Sequence, residues 1–155
     1  MSRGKVAAGA TAAILLAAAA IVKPWEGLRT APYRDIVGVT TVCYGSTKDV
    51  EARRYTVAEC EALLKSDLAE HWAGVSKCIA RPLAEHQAAA VLSWTFNVGV
   101  DAACRSTLVR KINAGLPASQ WCGELLKWDY ADGKRVRGLT NRRVAEYRAC
   151  VGEAK

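Results

Sequence analysis

The longest apolar run stands near the beginning of the chain. Val6–Val22 holds seventeen residues without a charge, with Arg3 and Lys5 ahead of it and Lys23 closing it. Nine of the seventeen are Ala, Gly9 and Thr11 dilute the run further, and only Val6, Ile14, Leu15, Leu16, Ile21 and Val22 are strongly apolar. As a helix the run spans about 25 Å, against roughly 30 Å of bilayer hydrocarbon. It predicts a marginal membrane anchor: sufficient for export with the basic N-terminus left in the cytoplasm, and poor at staying in the bilayer. The period then changes. Residues 34–47 read as a hairpin, with Val37-Gly38 as the turn and β-branched residues alternating from Val39 to Gly45. Val39, Thr41 and Cys43 share one face of that arm, and Thr40, Val42 and Tyr44 the other. Beyond the polar stretch Lys48–Tyr55 the pattern is helical. Thr56 and Glu59 form a capping box, behind which Val57, Cys60, Leu64 and Leu68 recur at helical spacing. Pro82 reads as the first-turn proline of a nearly all-apolar helix through Phe96, the central one. A short helix over Ser106–Asn113 ends at Gly115, another starts over Pro117–Lys127, and Thr140 reads as the cap of the last, through Cys150. The sum is an α+β fold, mainly helical, with one small antiparallel hairpin. A hairpin lobe and a larger helical lobe would flank a cleft.

Composition narrows the function classes. Setting the leader aside leaves roughly 130 residues, the size of one domain, with neither a linker nor a repeat. The expected division is 1–23 as the membrane segment and 24–155 as the working domain. Lys plus Arg number 22 against 15 acids, a net charge of +7. Such a surface favours polyanions: nucleic acid, anionic lipid or bacterial cell wall. The basic residues are scattered, densest over Lys134–Arg143, and no nucleic-acid-reading motif is present, so nucleic acid is set aside. There are six cysteines, none in a C-x-x-C or zinc-like spacing, so neither a metal nor a cofactor is expected. An even count behind an export signal predicts disulfides formed in an oxidising compartment such as the periplasm. Six cysteines allow fifteen pairings, or some buried free thiols. The expected pairing joins neighbours in sequence: Cys43–Cys60, Cys78–Cys104 and Cys122–Cys150.

The candidate chemistry sits in residues 25–45. Glu26, Asp35 and Thr41 stand as E-x8-D-x5-T. Cutting a glycosidic bond needs one protonated carboxyl to donate to the leaving oxygen. A second, ionised carboxyl handles the water or the developing positive charge. Glu26, next to Trp25, is the candidate acid, since an aromatic neighbour that excludes water helps a carboxyl keep its proton. Asp35 is the candidate second carboxylate and Thr41 the candidate holder of the attacking water. Each has a plainer reading: Glu26 as an exposed helix-end charge, Asp35 as a turn cap, Thr41 as an ordinary strand residue. Arg142 and Arg143 either meet peptide-stem carboxylates or are solvated helix charges. Tyr44 is a candidate for the cleft floor. Trp72, Trp94, Trp121 and Trp128 read as core, and His71 and His86 are given no role.

Three segments carry a family resemblance. PWEGLRTAPYRDIVGVTTVCYGST (24–47) resembles the catalytic segment of phage-type lysozymes, glycoside hydrolase family 24. SWTFNVGVDAACRSTLVRKIN (93–113) is similar to that family's helix-packing and cleft segment. WDYADGKRVRGLTNRRVAEYRAC (128–150) is similar to its C-terminal signature. The resemblance implies a lysozyme-like fold and an inverting muramidase that hydrolyses the N-acetylmuramic–N-acetylglucosamine bond of peptidoglycan to lyse a Gram-negative host. It implies Asn97 as a cleft residue, with a buried structural Asn as the equal alternative. The chain has Ser46 where the family often has His, which questions a local contact. The nearest group is the lambdoid-phage endolysins with a signal-anchor-release (SAR) segment. That likeness implies a switch: with residues 6–22 in the membrane, Glu26 is held away from Asp35 and Thr41 until release. No Cys precedes Cys43, so a leader thiol cannot be the trigger. Ala17-Ala18-Ala19 also fits a cleavage site, but cutting there strands Glu26 on a frayed end, so a retained segment is expected. Expected partners are peptidoglycan, the host inner membrane transiently, the Sec translocon and, on the resemblance alone, a holin or pinholin, with the protein monomeric. It would face the periplasm from the inner membrane and then be released there. The rival readings are a lytic transglycosylase, which leaves anhydro ends and needs only one acid, and a non-enzymatic membrane-active or wall-binding protein.

Overall fold

The computed structural model describes residues 8–153. Helix α1, Ala8–Glu26, takes up most of the apolar run and continues unbroken through Lys23 and Pro24 to the candidate acid. Val6 lies outside the described residues. Ile14, Leu15, Ala18, Ala19 and Val22 form a buried stripe along α1, while Leu16 on the reverse face is 75% exposed. The stripe packs chiefly on α3, Glu85–Val98. Ala18 and Ala19 are buried on α1 and Ala88, Ala89 and Ala90 on α3, so small residues on both helices allow close approach. Among the described residues no helix is long and apolar enough to cross a membrane. The same Ala-rich composition that makes a poor anchor makes a good helix for a tightly packed core.

Strands β1 (Arg29–Arg34) and β2 (Thr40–Cys43) pair antiparallel, with Arg34 opposite Thr40 and Tyr33 opposite Thr41. The hairpin begins at Arg29 rather than residue 34, because β1 is polar and carries no alternation to reveal it. The expected two-faced arm is also corrected. Thr41, Val42, Cys43 and Tyr44 are all buried. Cys43 adopts a positive φ of 62°, which breaks the alternation and turns its sulfur to Cys60. A second hairpin, β3 (Tyr130–Ala131) with β4 (Lys134–Arg135), adds to the single one expected. Its turn is Asp132-Gly133, with φ of 50° and 75°, the conformation that favours Asp-Gly between paired strands.

The helical lobe follows its caps. Thr56 and Glu59 make the reciprocal capping box of α2, Val57–Val75, which buries Cys60, Leu64, Leu68 and Trp72. Helix α3 starts three residues after Pro82. Ala84 remains extended, and its N–H is taken by Gln87 Oε1 at 2.9 Å. Short α4 (Val100–Cys104) precedes α5 (Thr107–Asn113), which Ser106 caps through the Val109 N–H. Helix α6, Ala118–Trp121, tightens into a 3-10 turn over Cys122–Lys127, so no long helix forms there. Helix α7 spans Arg137–Cys150. Thr140 lies one turn inside it rather than at its cap. Its hydroxyl donates to Asp129 Oδ2 at 2.8 Å and so serves a tertiary contact. Three disulfides join Cys43 to Cys60, Cys78 to Cys104 and Cys122 to Cys150, with no free cysteine among the described residues.

Candidate active site

Glu26 is the last residue of α1, and Gly27, at φ 69°, releases the chain into β1. Its Oε1 receives Arg142 Nη1 of α7 at 2.7 Å. Its Oε2 faces Gly45, where a Cβ would stand 3.8 Å away. One carboxyl oxygen is therefore held by protein and the other points to the cleft wall.

Behind Glu26 lies a buried polar network. Arg142 is 4% exposed and donates also to Glu146 Oε1 at 3.2 Å and to the Ser93 carbonyl at 3.2 Å. Arg143, wholly buried, donates from Nη2 to Glu146 Oε1 at 2.9 Å. Its Nε approaches Glu146 Oε2 to 2.7 Å without hydrogen-bond geometry, which makes that a charge contact only. The Ser93 hydroxyl completes the set, donating to Glu146 Oε1 at 2.8 Å. The buried carboxylate of Glu146 thus lies between two arginines, one of which also reaches the partly exposed Glu26. Burial pushes the Glu146 carboxyl above the usual range, against the pull of Arg143, Ser93 and Arg142. Burial likewise lowers Arg143, opposed by Glu146. Neither Arg142 nor Arg143 is a solvated helix charge. Their spacing to Glu146, three and four residues on one helix, is the sequence signal that marks them as its partners.

Asp35 opens the β1–β2 loop. Its Oδ1 accepts the N–H groups of Val37 at 2.9 Å and Val39 at 2.8 Å. Oδ2 has no protein partner among the described residues. The turn-capping role thus occupies one oxygen and leaves the other free. Thr41, buried, donates its hydroxyl to the Val39 carbonyl at 3.0 Å and keeps its lone pairs as acceptors. The peptide groups of Val39 hold both Asp35 and Thr41, which ties the two to one piece of backbone.

A cavity of about 350 Å³ opens beside Glu26, lined among others by Tyr44, Asp67, His71, Phe96 and Asn97. Tyr44 and Asn97 therefore stand in the cleft wall with Glu26. Asp35, Thr41 and Arg142 do not line this cavity, and neither does Trp25, which is 38% exposed. Ser46 donates to Asp67 Oδ2 at 2.6 Å, so a hydroxyl supplies the local contact that the missing His had put in question. His71 is the cleft residue that the sequence does not reveal. Its Nδ1 lies 2.7 Å from the Asp67 carbonyl and its ring packs on Phe96 with centroids 5.0 Å apart. A carbonyl only accepts, so Nδ1 carries the proton and Nε2 is left unprotonated in the neutral ring. Its one signal is its place a turn after Asp67. Among the described residues no group of three His, Cys, Asp or Glu is placed to hold a metal ion.

Comparison with known proteins agrees with this geometry. The phage lysozyme family profile matches residues 23–146. A SAR-endolysin of Escherichia phage Mu is 44% identical over 122 residues, covering 78% of this chain and 71% of that one. A SAR-endolysin of Bacteriophage PS34 is 40% identical over 153 residues, covering 94% and 91%. The solved muramidase domain of SpmX from Asticaccaulis excentricus superposes with a TM-score of 0.77 at 26% identity, covering 96% of this chain and 99% of that one. The chain belongs to the phage lysozyme family. It is a lysozyme, a muramidase of the endolysin kind, and its mainly helical lysozyme-like fold with small antiparallel hairpins is the fold expected.

Proposed function

We propose that this lysozyme is a SAR endolysin, exported by a retained, releasable N-terminal segment, with Glu26 as the general acid. The observation that supports this reading is the double duty of α1. The apolar run that reads as a marginal anchor also supplies a buried stripe of the domain core and ends on Glu26. While the run lies in the bilayer, that stripe is missing from the core and Glu26 cannot reach Arg142. After release, both contacts form in one docking step. Residues 1–42 hold no cysteine, so on this reading the switch is topological and needs no reductant. Export through the Sec translocon and release to the periplasm when a holin or pinholin collapses the membrane potential complete the reading. The three disulfides suit that compartment.

In the chemical step Glu26 Oε2 gives its proton to the glycosidic oxygen between N-acetylmuramic acid and N-acetylglucosamine. The free Oδ2 of Asp35 takes a proton from the attacking water and stabilises positive charge at the anomeric carbon. Thr41 accepts the other proton of that water in a hydrogen bond. Water attacking from the face opposite the leaving group inverts the anomeric carbon, which calls for carboxyls roughly 6.5–9.5 Å apart. Tyr44 and Asn97 contact the glycan. Product analysis tests the chemistry: purified protein and Glu26→Gln are incubated with sacculi, and the fragments are resolved by mass. Reducing muramic ends that vanish in Glu26→Gln are expected. Anhydro ends would make the protein a transglycosylase and remove Asp35 from its role. Release is tested separately by Gly9→Leu with Thr11→Leu, which should retain the protein in the membrane and block lysis; undiminished lysis would overturn the anchor reading.

A further inference from the structure

Glu61 stands on α2, outside the lining of the cavity, yet it contacts Tyr44 in that lining and Lys23 one turn before Glu26. Its Oε1 accepts the Tyr44 hydroxyl at 3.1 Å, and its Oε2 pairs with Lys23 Nζ. Lys23 lies one turn before Glu26 on α1, and its ammonium is 6.0 Å from the centre of the Tyr44 ring. The neighbouring pair in sequence, Cys43 and Cys60, is joined by a disulfide. Tyr44 and Glu61 are therefore set face to face by a covalent link that does not involve α1. Lys23 is the one member of this group that has to arrive from elsewhere.

Lys23 is also the charge that closes the apolar run. With the run in a bilayer, an ammonium at that place pairs with lipid phosphate at the headgroup level. With α1 docked it pairs with Glu61. The two partners are mutually exclusive, so the same side chain reports where α1 is. The charges agree with a working contact: Lys23 holds the Glu61 carboxyl below its ordinary range, while burial and Glu61 push the Tyr44 phenol up.

We propose that Glu61 is a positioning residue for the lysozyme reaction: it receives Lys23 when the N-terminal segment docks and so orients the last turn of α1, placing Glu26 against the cleft wall that Tyr44 forms. This rests on the reading of Glu26 as the acid. Both carboxylate and ammonium are partly exposed, so the contact orients the turn more than it stabilises the fold. Misplacing a reacting group by a small distance is felt in the chemical step before it is felt in binding.

The test uses purified, oxidised, full-length protein without detergent, acting on soluble peptidoglycan fragments. Lys23→Glu, Glu61→Lys, the double exchange and Glu61→Gln are compared with parent and Glu26→Gln. Glu61→Gln keeps an oxygen for Tyr44 and removes only the charge, which guards against a misfolded Glu61→Lys. Each single charge reversal is expected to lower kcat about tenfold with KM within about twofold, and the double exchange to recover most of kcat. In the parent and the double exchange, but in neither single reversal, kcat should fall on raising the salt from low to high, since a half-exposed pair is screened. If Glu26→Gln is dead while every Lys23 and Glu61 variant runs within about twofold of parent, the positioning role is overturned and the acid assignment survives. If the single variants lose activity only in step with their thermal midpoints, and the double exchange restores neither, Glu61 is a structural residue and the proposal fails. An active Glu26→Gln overturns the underlying assignment instead.

Discussion

Arg142 and Glu26 are 116 positions apart in sequence, and their side chains meet at 2.7 Å. The guanidinium takes Oε1 and so decides that Oε2 faces the cleft. Glu26 is thus oriented by the opposite end of the domain. Replacing Arg142 by Leu removes that orientation and leaves Glu146 with a single cationic partner. We expect kcat to fall at least about tenfold, with a loss of stability on the order of 3–5 kcal/mol because a buried pair is broken rather than replaced. Urea unfolding and steady-state kinetics on one preparation read both.

Glu146 is fully buried and receives both arginines. Glu146→Ala leaves two buried guanidinium groups without the carboxylate they share. The expected cost is again about 3–5 kcal/mol, with insoluble expression at the upper end. A lower urea midpoint without a change in slope would point to lost contacts; no change in midpoint would remove the network from the account of stability.

Asp35 offers a cleaner separation of structure from chemistry. Asp35→Asn keeps Oδ1 for the N–H groups of Val37 and Val39 and removes only the charge. The thermal midpoint should stay within the equivalent of about 0.5 kcal/mol. Hydrolysis should drop by about a hundredfold or more, in the range of a lost general base. Asp35→Ala should lower the midpoint as well. A fully active Asp35→Asn would leave Asp35 as a turn cap.

The disulfides span 17, 26 and 28 residues. Each should contribute about 2–4 kcal/mol, mainly by restricting the unfolded chain. Reductant is expected to lower the thermal midpoint and never to activate the enzyme. Activation by thiol in a turbidity assay would contradict a purely topological switch.

Acid should destabilise the fold through Glu124. The residue is 6% exposed, and its carboxyl is held below the usual range by Lys111 and then Lys127, at 2.7 and 2.9 Å. A carboxyl depressed in the folded state adds stability above its unfolded pKa, about 4.3, and loses it as pH falls through the folded value. Unfolding midpoints should therefore decline below about pH 4.5. Glu124→Gln should flatten that limb, and an unchanged pH profile would assign the decline to other carboxylates.

Short-range regularities are legible in the amino-acid sequence by itself. The capping box of Thr56 and Glu59, the i, i+4 series through Leu68, the Ser106 cap and the spacing of Glu26, Asp35 and Thr41 depend on residues a few positions apart. The helical ones follow from the 3.6-residue period. The first strand escapes such a reading because Arg29–Arg34 buries little, and the second hairpin because Asp132-Gly133 joins strands of two residues each. The remaining features depend on contacts between distant segments. Which of the possible cysteine pairings forms, that His71 stands in the cleft, that Arg142 turns inward to Glu26, and that α1 is a core helix all rest on side chains brought together from far along the chain. A local pattern states which face of a helix is apolar; it does not name the surface that will cover it. That choice is made only when helices such as α1, α3 and α7 pack and every buried charge must find its opposite.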